Sequence, residues 1–495
     1  MGIIKRQAYS GTILSYLGVL IGFITTALIF PEYLTTAEIG LLSIFLSYAY
    51  IFAQLATLGT GRITIAVFPF FRDRKNHHHG FFPLMIILGM AGLILAFIAI
   101  YIMKRWLISN SNDTSPLFGQ YYNYLFPLLF FTFLFMMLDS FNTTLFNAIR
   151  GIYLKELLQR LLIMAAVTFY ALKWVGFDSF VMLFVLAVGI PAFILLFYVM
   201  KNDEFCLKPA FSPLVREKSR LMAYIGVNGI LIGFSGMVIL NIDRIMVERM
   251  MGLGSTGIYT TMAYFATLVA IPSRALLKIS DPVIAQAWKD NDITSLQDNY
   301  YRSSLNQFLI GSLLMVGIWG NIDNVLRILP AEFAEGKLVV LFVSLAFLTD
   351  MLTGTATFIL ANSKYFKYQT LYIMILVILI IITNLLLIPV WGLTGAAVAT
   401  LISKILSNFI RHQILLKKFG LQPYNAKFLV IALVAGLAYL SQYFIPFTGN
   451  LYLDLVVRSG VMSLVFVILV LSLKISPEVN ERYKWFLGMV RKILS

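Results

Sequence analysis

Charge is scarce in this chain. Only 12% of its 495 residues are Asp, Glu, Lys or Arg, against about 25% in a soluble domain, which excludes a soluble enzyme of ordinary surface. Cysteine is nearly absent: Cys206 alone excludes a disulfide framework and any multi-cysteine metal or iron–sulfur centre. Three of the four histidines are consecutive, His77, His78 and His79. That spacing cannot turn all three rings toward one metal on a helix, so the run reads as a solvated polar loop beside Arg72, Arg74 and Lys75. A P-loop glycine–lysine signature is missing, as are HExxH, CxxC and GxSxG elements, so neither a cofactor nor enzymatic chemistry is expected. What the chain does have is 60% hydrophobic residues and a mean hydropathy of +0.86. It reads as an all-α polytopic membrane protein.

A hydrocarbon core about 30 Å thick takes roughly 20 apolar residues per helix. Apolar runs between charged or Pro/Asn-rich breaks predict fourteen spans, near 10–30, 39–59, 81–103, 123–143, 157–173, 179–199, 220–240, 255–273, 303–319, 338–361, 369–388, 394–410, 428–445 and 455–473. The first run is too long for a signal-peptide core and is followed by no small-residue cleavage site. With the N-terminus in the cytosol, 29 of the 38 Lys and Arg residues fall on the inner side and 7 on the outer, with Lys404 and Arg458 within spans. The excess predicts a multi-pass membrane protein with both termini cytosolic. The net charge of +15 is assigned to the anionic inner leaflet rather than to nucleic acid. Trp106, Trp174, Trp319 and Trp391 fall at outer ends, as an interfacial belt would.

Small residues reveal an internal duplication. Gly11, Ser15, Gly18 and Gly22 run down one face of the first span, and Gly226, Gly229, Gly233 and Gly236 down one face of the seventh. Gly11 to Gly226 and Gly18 to Gly233 are offsets of 215; IGLLSIFLSYA (39–49) aligns with TGIYTTMAYFA (256–266) at 217. Two six-span halves in one orientation and an extra pair account for this as a parallel repeat. The expected divisions are 1–200, 201–419, 420–473 and a basic amphipathic tail, 474–495. The stripes, Gly18, Gly22, Gly229 and Gly233 above all, read as close helix packing or as flexing points in a transport cycle. Asp281 is expected as an N-cap with Pro282 first in its helix, and Asp292 as the cap of the helix entering the ninth span. The tail places Phe486, Met489, Val490 and Ile493 on one face, with Lys484, Arg491 and Lys492 between them, as an interfacial helix.

A charge at a helix centre costs at least about 2.5–3.5 kcal/mol, so intramembrane charges face a cavity or pair. Asp350 and Lys404 lie near the middle of the tenth and twelfth spans, as a buried ion pair or as cavity charges; Asp139 is in the inner half of the fourth. Asp139 and Asp350 are therefore ion or charge-pair candidates. Arg458 opens the fourteenth span, where it can snorkel. Arg62, Arg150 and Arg274 lie just past inner span ends, as positive-inside anchors or as ligands of a phosphate or carboxylate. Gln54 and Asn228 are polar residues within spans.

The stretch NIDRIMVERMMGLGSTGIYTTMAYF (241–265), with IPVWGLTGAAVAT (388–400) and FPEYLTTAEIGLLS (30–43), resembles the polysaccharide-exporting, O-antigen-type flippases of the multidrug/oligosaccharidyl-lipid/polysaccharide exporter superfamily. The resemblance implies two lobes around a cationic cavity lined by helices 1, 2, 7 and 8. An undecaprenyl-pyrophosphate-linked oligosaccharide would cross there by alternating access for O-antigen, capsule or exopolysaccharide export. Carried onto this chain, it implies Arg62, Arg150, Arg274, Lys404, Gln54 and Asn228 as substrate-binding residues. It implies membrane lipid and the lipid-linked glycan as partners, with a glycan polymerase or glycosyltransferases beside them. One departure is that the first two spans and the seventh carry no charge in their midsections. A lipid II flippase or a multidrug antiporter of the same superfamily is the alternative. An integral-membrane glycan polymerase or ligase is the reading from another class; it would need a large outer loop, and none exceeds 20 residues.

Overall fold

The computed structural model describes residues 2–109, 116–145, 147–208, 213–446 and 449–494. Its principal helices are α1 (Gly2–Phe23), α2 (Thr36–Ala56), α3 (Thr60–Phe71), α4 (Phe81–Ser109), α5 (Leu125–Thr144), α6 (Gln159–Ala171), α7 (Phe177–Met200), α8 (Pro213–Met251) and α9 (Leu253–Thr267). They continue as α10 (Ile271–Lys289), α11 (Ile293–Gly320), α12 (Lys337–Leu352), α13 (Ala356–Ala361), α14 (Lys367–Phe419), α15 (Ala426–Leu440), α16 (Leu451–Ser472) and α17 (Pro477–Leu494). The chain divides into two compact units, Met1–Thr261 with Ile380–Gly392, and Met262–Leu379 with Leu393–Ser495.

Fourteen uninterrupted spans are not what the chain forms. Among the described residues ten helices are long and apolar enough to cross a membrane, eleven if the bent pair Leu253–Arg274 and Ile279–Lys289 is one span. The difference lies in helix breaks. The expected span 157–173 is α6, joined to Ala148–Ile152 through a π-helical turn, Tyr153–Leu158. Span 338–361 is split into α12 and α13 at Thr353–Thr355, where Gly354 takes φ +48°. The eleventh and twelfth spans form one 53-residue run, α14, kinked at Gly392 (φ 55°, ψ −132°) just after Pro389. A glycine with positive φ shortly after a proline accommodates such a kink.

In the first unit the core is aromatic: Phe45, Phe68, Phe71, Phe81, Phe82, Phe118, Phe133 and Phe141 are nearly fully buried. A capping box starts α2: the Thr35 hydroxyl accepts from the Glu38 N–H, and the Thr35 N–H donates to the Glu38 carboxylate (2.8 Å). The two helices that the sequence offset relates are in direct contact. A Cβ on Gly40 would lie 2.0 Å from the Leu253 carbonyl, and one on Gly257 1.9 Å from that of Thr36. One turn on, Ser43 and Thr260 share a hydrogen bond of 2.9 Å. Gly40 and Gly257, like Ser43 and Thr260, differ by 217, the offset read in the sequence. The stripe on α8 also packs closely: Cβ atoms on Gly226, Gly229 and Gly233 would fall 3.0, 2.8 and 2.3 Å from Ile63, Arg62 and Gln54. On α1, Gly18 and Gly22 meet the Glu156 carbonyl and the Arg160 guanidinium, and Arg160 Nη1 donates to the Gly18 carbonyl (2.8 Å). These contacts fit the close-packing reading of the stripes.

The second unit buries two apolar clusters, one joining α11, α15 and α16 around Leu305, Ile431 and Phe466, the other around Ile284, Tyr300, Ile359 and Leu415. Asp292 caps α11 as expected, accepting from the Ser295 N–H (2.9 Å). Asp281 does not cap a helix: α10 runs through Pro282, and Asp281 instead accepts from Asn362 (2.9 Å). Arg458 does not snorkel either. It donates to buried Asp454 (2.6 Å) and to the carbonyls of Gln442 and Ile445 (both 3.2 Å), while Asn324 also donates to Asp454 (2.6 Å). In the tail, α17 is helical, but the side chains of Lys484, Phe486, Val490, Arg491, Lys492 and Ile493 lie outside the described residues.

The histidine run is not uniformly solvated. His77, His78 and His79 all take left-handed φ near +50°, and His78 is buried against Phe68 and Phe82. Its Nδ1 accepts from the Asp73 N–H (3.2 Å). A short left-handed turn is costly for non-glycine residues, about 1–2 kcal/mol each; the Asp73 carboxylate offsets this by accepting from Lys75, Asn76 and the Asn76 amide.

Candidate functional site

Two carboxylates fall within expected spans, Asp139 on α5 and Asp350 on α12, each shortly before a helix break. Their surroundings differ. In the second unit Lys404 Nζ donates to Asp350 Oδ2, and Asn408 Nδ2 donates to Oδ1 (2.9 Å). Arg411, 4% exposed, extends the network. It donates to Thr357, to Thr353 (3.3 Å) and to the Asn408 carbonyl oxygen, and stacks 4.5 Å from the Tyr372 ring. Tyr372 also donates to Asn408 (3.2 Å). Of the two readings of Asp350 and Lys404, the ion pair is the one formed. Removing one partner of such a pair leaves a buried charge, at a cost of about 3–5 kcal/mol.

Sequence reasoning missed Arg411 and Asn408, although the signal was there. Lys404, Asn408 and Arg411 follow at i, i+4 and i+7, one face of a helix, opposite Asp350, Thr353 and Thr357 at i, i+3 and i+7. Arg411 was counted with the inner loop because it closes an apolar run.

In the first unit Asp139 Oδ1 is buried and has no hydrogen-bond partner among the described residues. The helix Ala148–Ile152 presses on it: a Cβ on Gly151 would fall 1.7 Å from that oxygen. Lys155, in the π-helical turn, is also missing from the sequence-derived candidates. It has no carboxylate within ion-pair distance among the described residues; its ammonium lies 5.0 Å from the Tyr50 ring centre and 5.8 Å from that of Phe135. Tyr50, Thr132, Phe135, Lys155 and Gln159 line a narrow cleft, and the Thr132 hydroxyl is buried there without a partner.

The other expected site residues are dispersed. Arg62 and Arg274 are exposed, and Arg62 rests its Cβ side on Gly229. Arg150 is half-buried with its guanidinium 5.0 Å from the Tyr198 ring centre. Gln54 is half-buried with its amide against Gly233. Asn228 donates back to the Tyr224 carbonyl of its own helix (2.8 Å). Among the described residues no group of three or more His, Cys, Asp or Glu could hold a metal ion.

No family model matches the sequence, and no curated protein matches it. Solved structures do. The chain superposes on the lipid II flippase MurJ, in its inward closed conformation, with a TM-score of 0.72 at 16% identity, over 93% of this chain and 97% of that one. An inward-facing multidrug resistance MATE family transporter of the MOP superfamily gives 0.63 at 14% identity, over 83% and 94%. The Vibrio cholerae MATE transporter VcmN gives 0.56 at 13%, over 84% and 99%. At these identities the likeness is one of fold: this chain has the fold of the MOP superfamily transporters.

Proposed function

We propose that this chain is a non-enzymatic transporter that carries a polyprenyl-pyrophosphate-linked saccharide from the inner to the outer leaflet of a bacterial cytoplasmic membrane by alternating access. The observation that carries the reading is the match to a lipid II flippase along nearly the whole chain. The multidrug transporters match about a tenth less of it, a difference the size of one helix pair. The physical problem such a protein solves is the cost of moving sugars and phosphates through hydrocarbon. An inside-negative potential favours outward movement of an anionic headgroup by about 2.3 kcal/mol per charge per 100 mV.

Of the two saccharide classes, the fold comparison favours a lipid II-type precursor over the O-antigen or capsule unit that the sequence motifs suggest. Arg62, Arg150 and Arg274 remain proposed contacts for the headgroup at the inner mouth, with Gln54 and Asn228 near the sugar. Lys404 is better placed as a structural partner of Asp350. Mass spectrometry of membrane lipids from cells depleted of this protein tests the reading. An accumulated peptidoglycan precursor supports the lipid II class, and an accumulated polyprenyl-pyrophosphate oligosaccharide supports the surface-polysaccharide class. No accumulated lipid-linked sugar would overturn the flippase reading in favour of drug export.

A further inference from the structure

We propose that Lys155 is an anion anchor inside the first unit that takes the phosphate-bearing part of the lipid-linked substrate. The inference rests on the flippase reading above and adds a specific residue to it. Lys155 lies seven residues past Ala148, about 10 Å along the helix. A lysine beside an apolar run lowers its energy by pairing, or by reaching for the interface. This one has no carboxylate within ion-pair distance among the described residues, and its ammonium lies across the faces of Tyr50 and Phe135. Cation–π contacts hold a charge at about 0.5–2 kcal/mol, weakly enough to release it to a phosphate.

Three further features agree. The π-helical turn Tyr153–Leu158 is centred on this residue, and such turns are frequent at functional sites. The cleft beside it is rich in donors: the Lys155 ammonium, the Gln159 amide and the hydroxyls of Tyr50 and Thr132, the last buried and unpartnered. Asp139 is not among the residues lining that cleft; it is a nearby carboxyl group with an unpartnered buried oxygen of its own. The cleft has a volume of about 10 Å³, room for one water-sized atom, and its donors suit a single phosphate oxygen, which accepts from ammonium, amide and hydroxyl groups together. In the second unit Lys404 is already tied to Asp350 and offers no such freedom.

The test uses the full chain in detergent or nanodiscs, with farnesyl pyrophosphate as the probe and farnesol as its neutral counterpart. The wild type is expected to bind the pyrophosphate in preference to the alcohol. Lys155→Gln should weaken pyrophosphate binding by about tenfold, the loss of one charge-assisted hydrogen bond, while Lys155→Arg stays within about threefold of wild type and both keep its melting temperature. Asp139→Asn should tighten binding, because it removes the competing carboxylate. Unchanged pyrophosphate binding by Lys155→Gln, in a protein that still discriminates against farnesol, overturns the role of Lys155 and leaves the flippase reading standing. A wild type that does not distinguish the two probes overturns both. Weakened binding by Asp139→Asn together with a lowered melting temperature makes the two residues a structural pair and overturns the proposal.

Discussion

Asp350, in the second unit, is hydrogen-bonded at both oxygens, whereas Asp139, in the first, has a buried oxygen with no partner among the described residues. The second unit surrounds Asp350 with Lys404, Asn408 and, one shell out, Arg411. The first unit gives Asp139 only a neighbouring lysine held by aromatic rings. The two units therefore treat an intramembrane acid differently. Where the charges are mutually satisfied the unit is locked; where they are not, charge is left for something outside the protein.

The largest effect that could break this contrast is in the second unit. Lys404→Ala should destabilise the protein by about 3–5 kcal/mol, leaving Asp350 unpaired, whereas Asp350→Asn with Lys404→Met should recover most of the loss. Thermal unfolding in detergent reads both; an unaffected Lys404→Ala would show the pair is incidental. Next comes the seam between the repeats. Gly257→Ala places a methyl 1.9 Å from the Thr36 carbonyl and should cost about 1–3 kcal/mol. Gly236→Ala meets nothing within 4 Å and should be neutral. Equal melting temperatures for these two variants would mean that the seam yields freely.

A smaller effect concerns pH at the loop between α3 and α4. The hydrogen bond from the Asn76 side chain, with those from the Asn76 and Lys75 backbone, holds the Asp73 carboxyl below its ordinary value. A depressed carboxylate stabilises the fold above its unfolded value near 3.9 and loses that contribution as pH falls through the folded one. Exchange of the Lys75 and Asn76 amides, corrected for its intrinsic pH dependence, should therefore speed up only below about pH 4. A flat profile would detach Asp73 from the ordering of this turn.

Much of this was legible because burial in lipid forces a simple code. Long apolar runs predicted helices, and the 215–217 offsets singled out Gly40 and Gly257, which lie in close contact. The number of uninterrupted helices was not legible: a π-helical turn at Lys155 or a left-handed Gly354 leaves hydropathy unchanged while dividing a span. Lys155 and Arg411 were overlooked for one shared reason. A cation near the end of an apolar run looks like a positive-inside anchor, and only the packing of neighbouring helices shows that it points back into the protein. His78 was misread similarly, since a polar run gives no sign that its middle ring sits among Phe68, Phe81 and Phe82.

The most direct test of the contrast is a pair of double-mutant cycles on unfolding, Asp350→Asn with Lys404→Met and Asp139→Asn with Lys155→Met. The account predicts a coupling of about 3 kcal/mol in the second unit and less than about 0.5 kcal/mol in the first. Equal couplings in the two units would mean that Asp139 and Lys155 form a structural pair after all, and that the first unit holds no unpaired cation for a substrate.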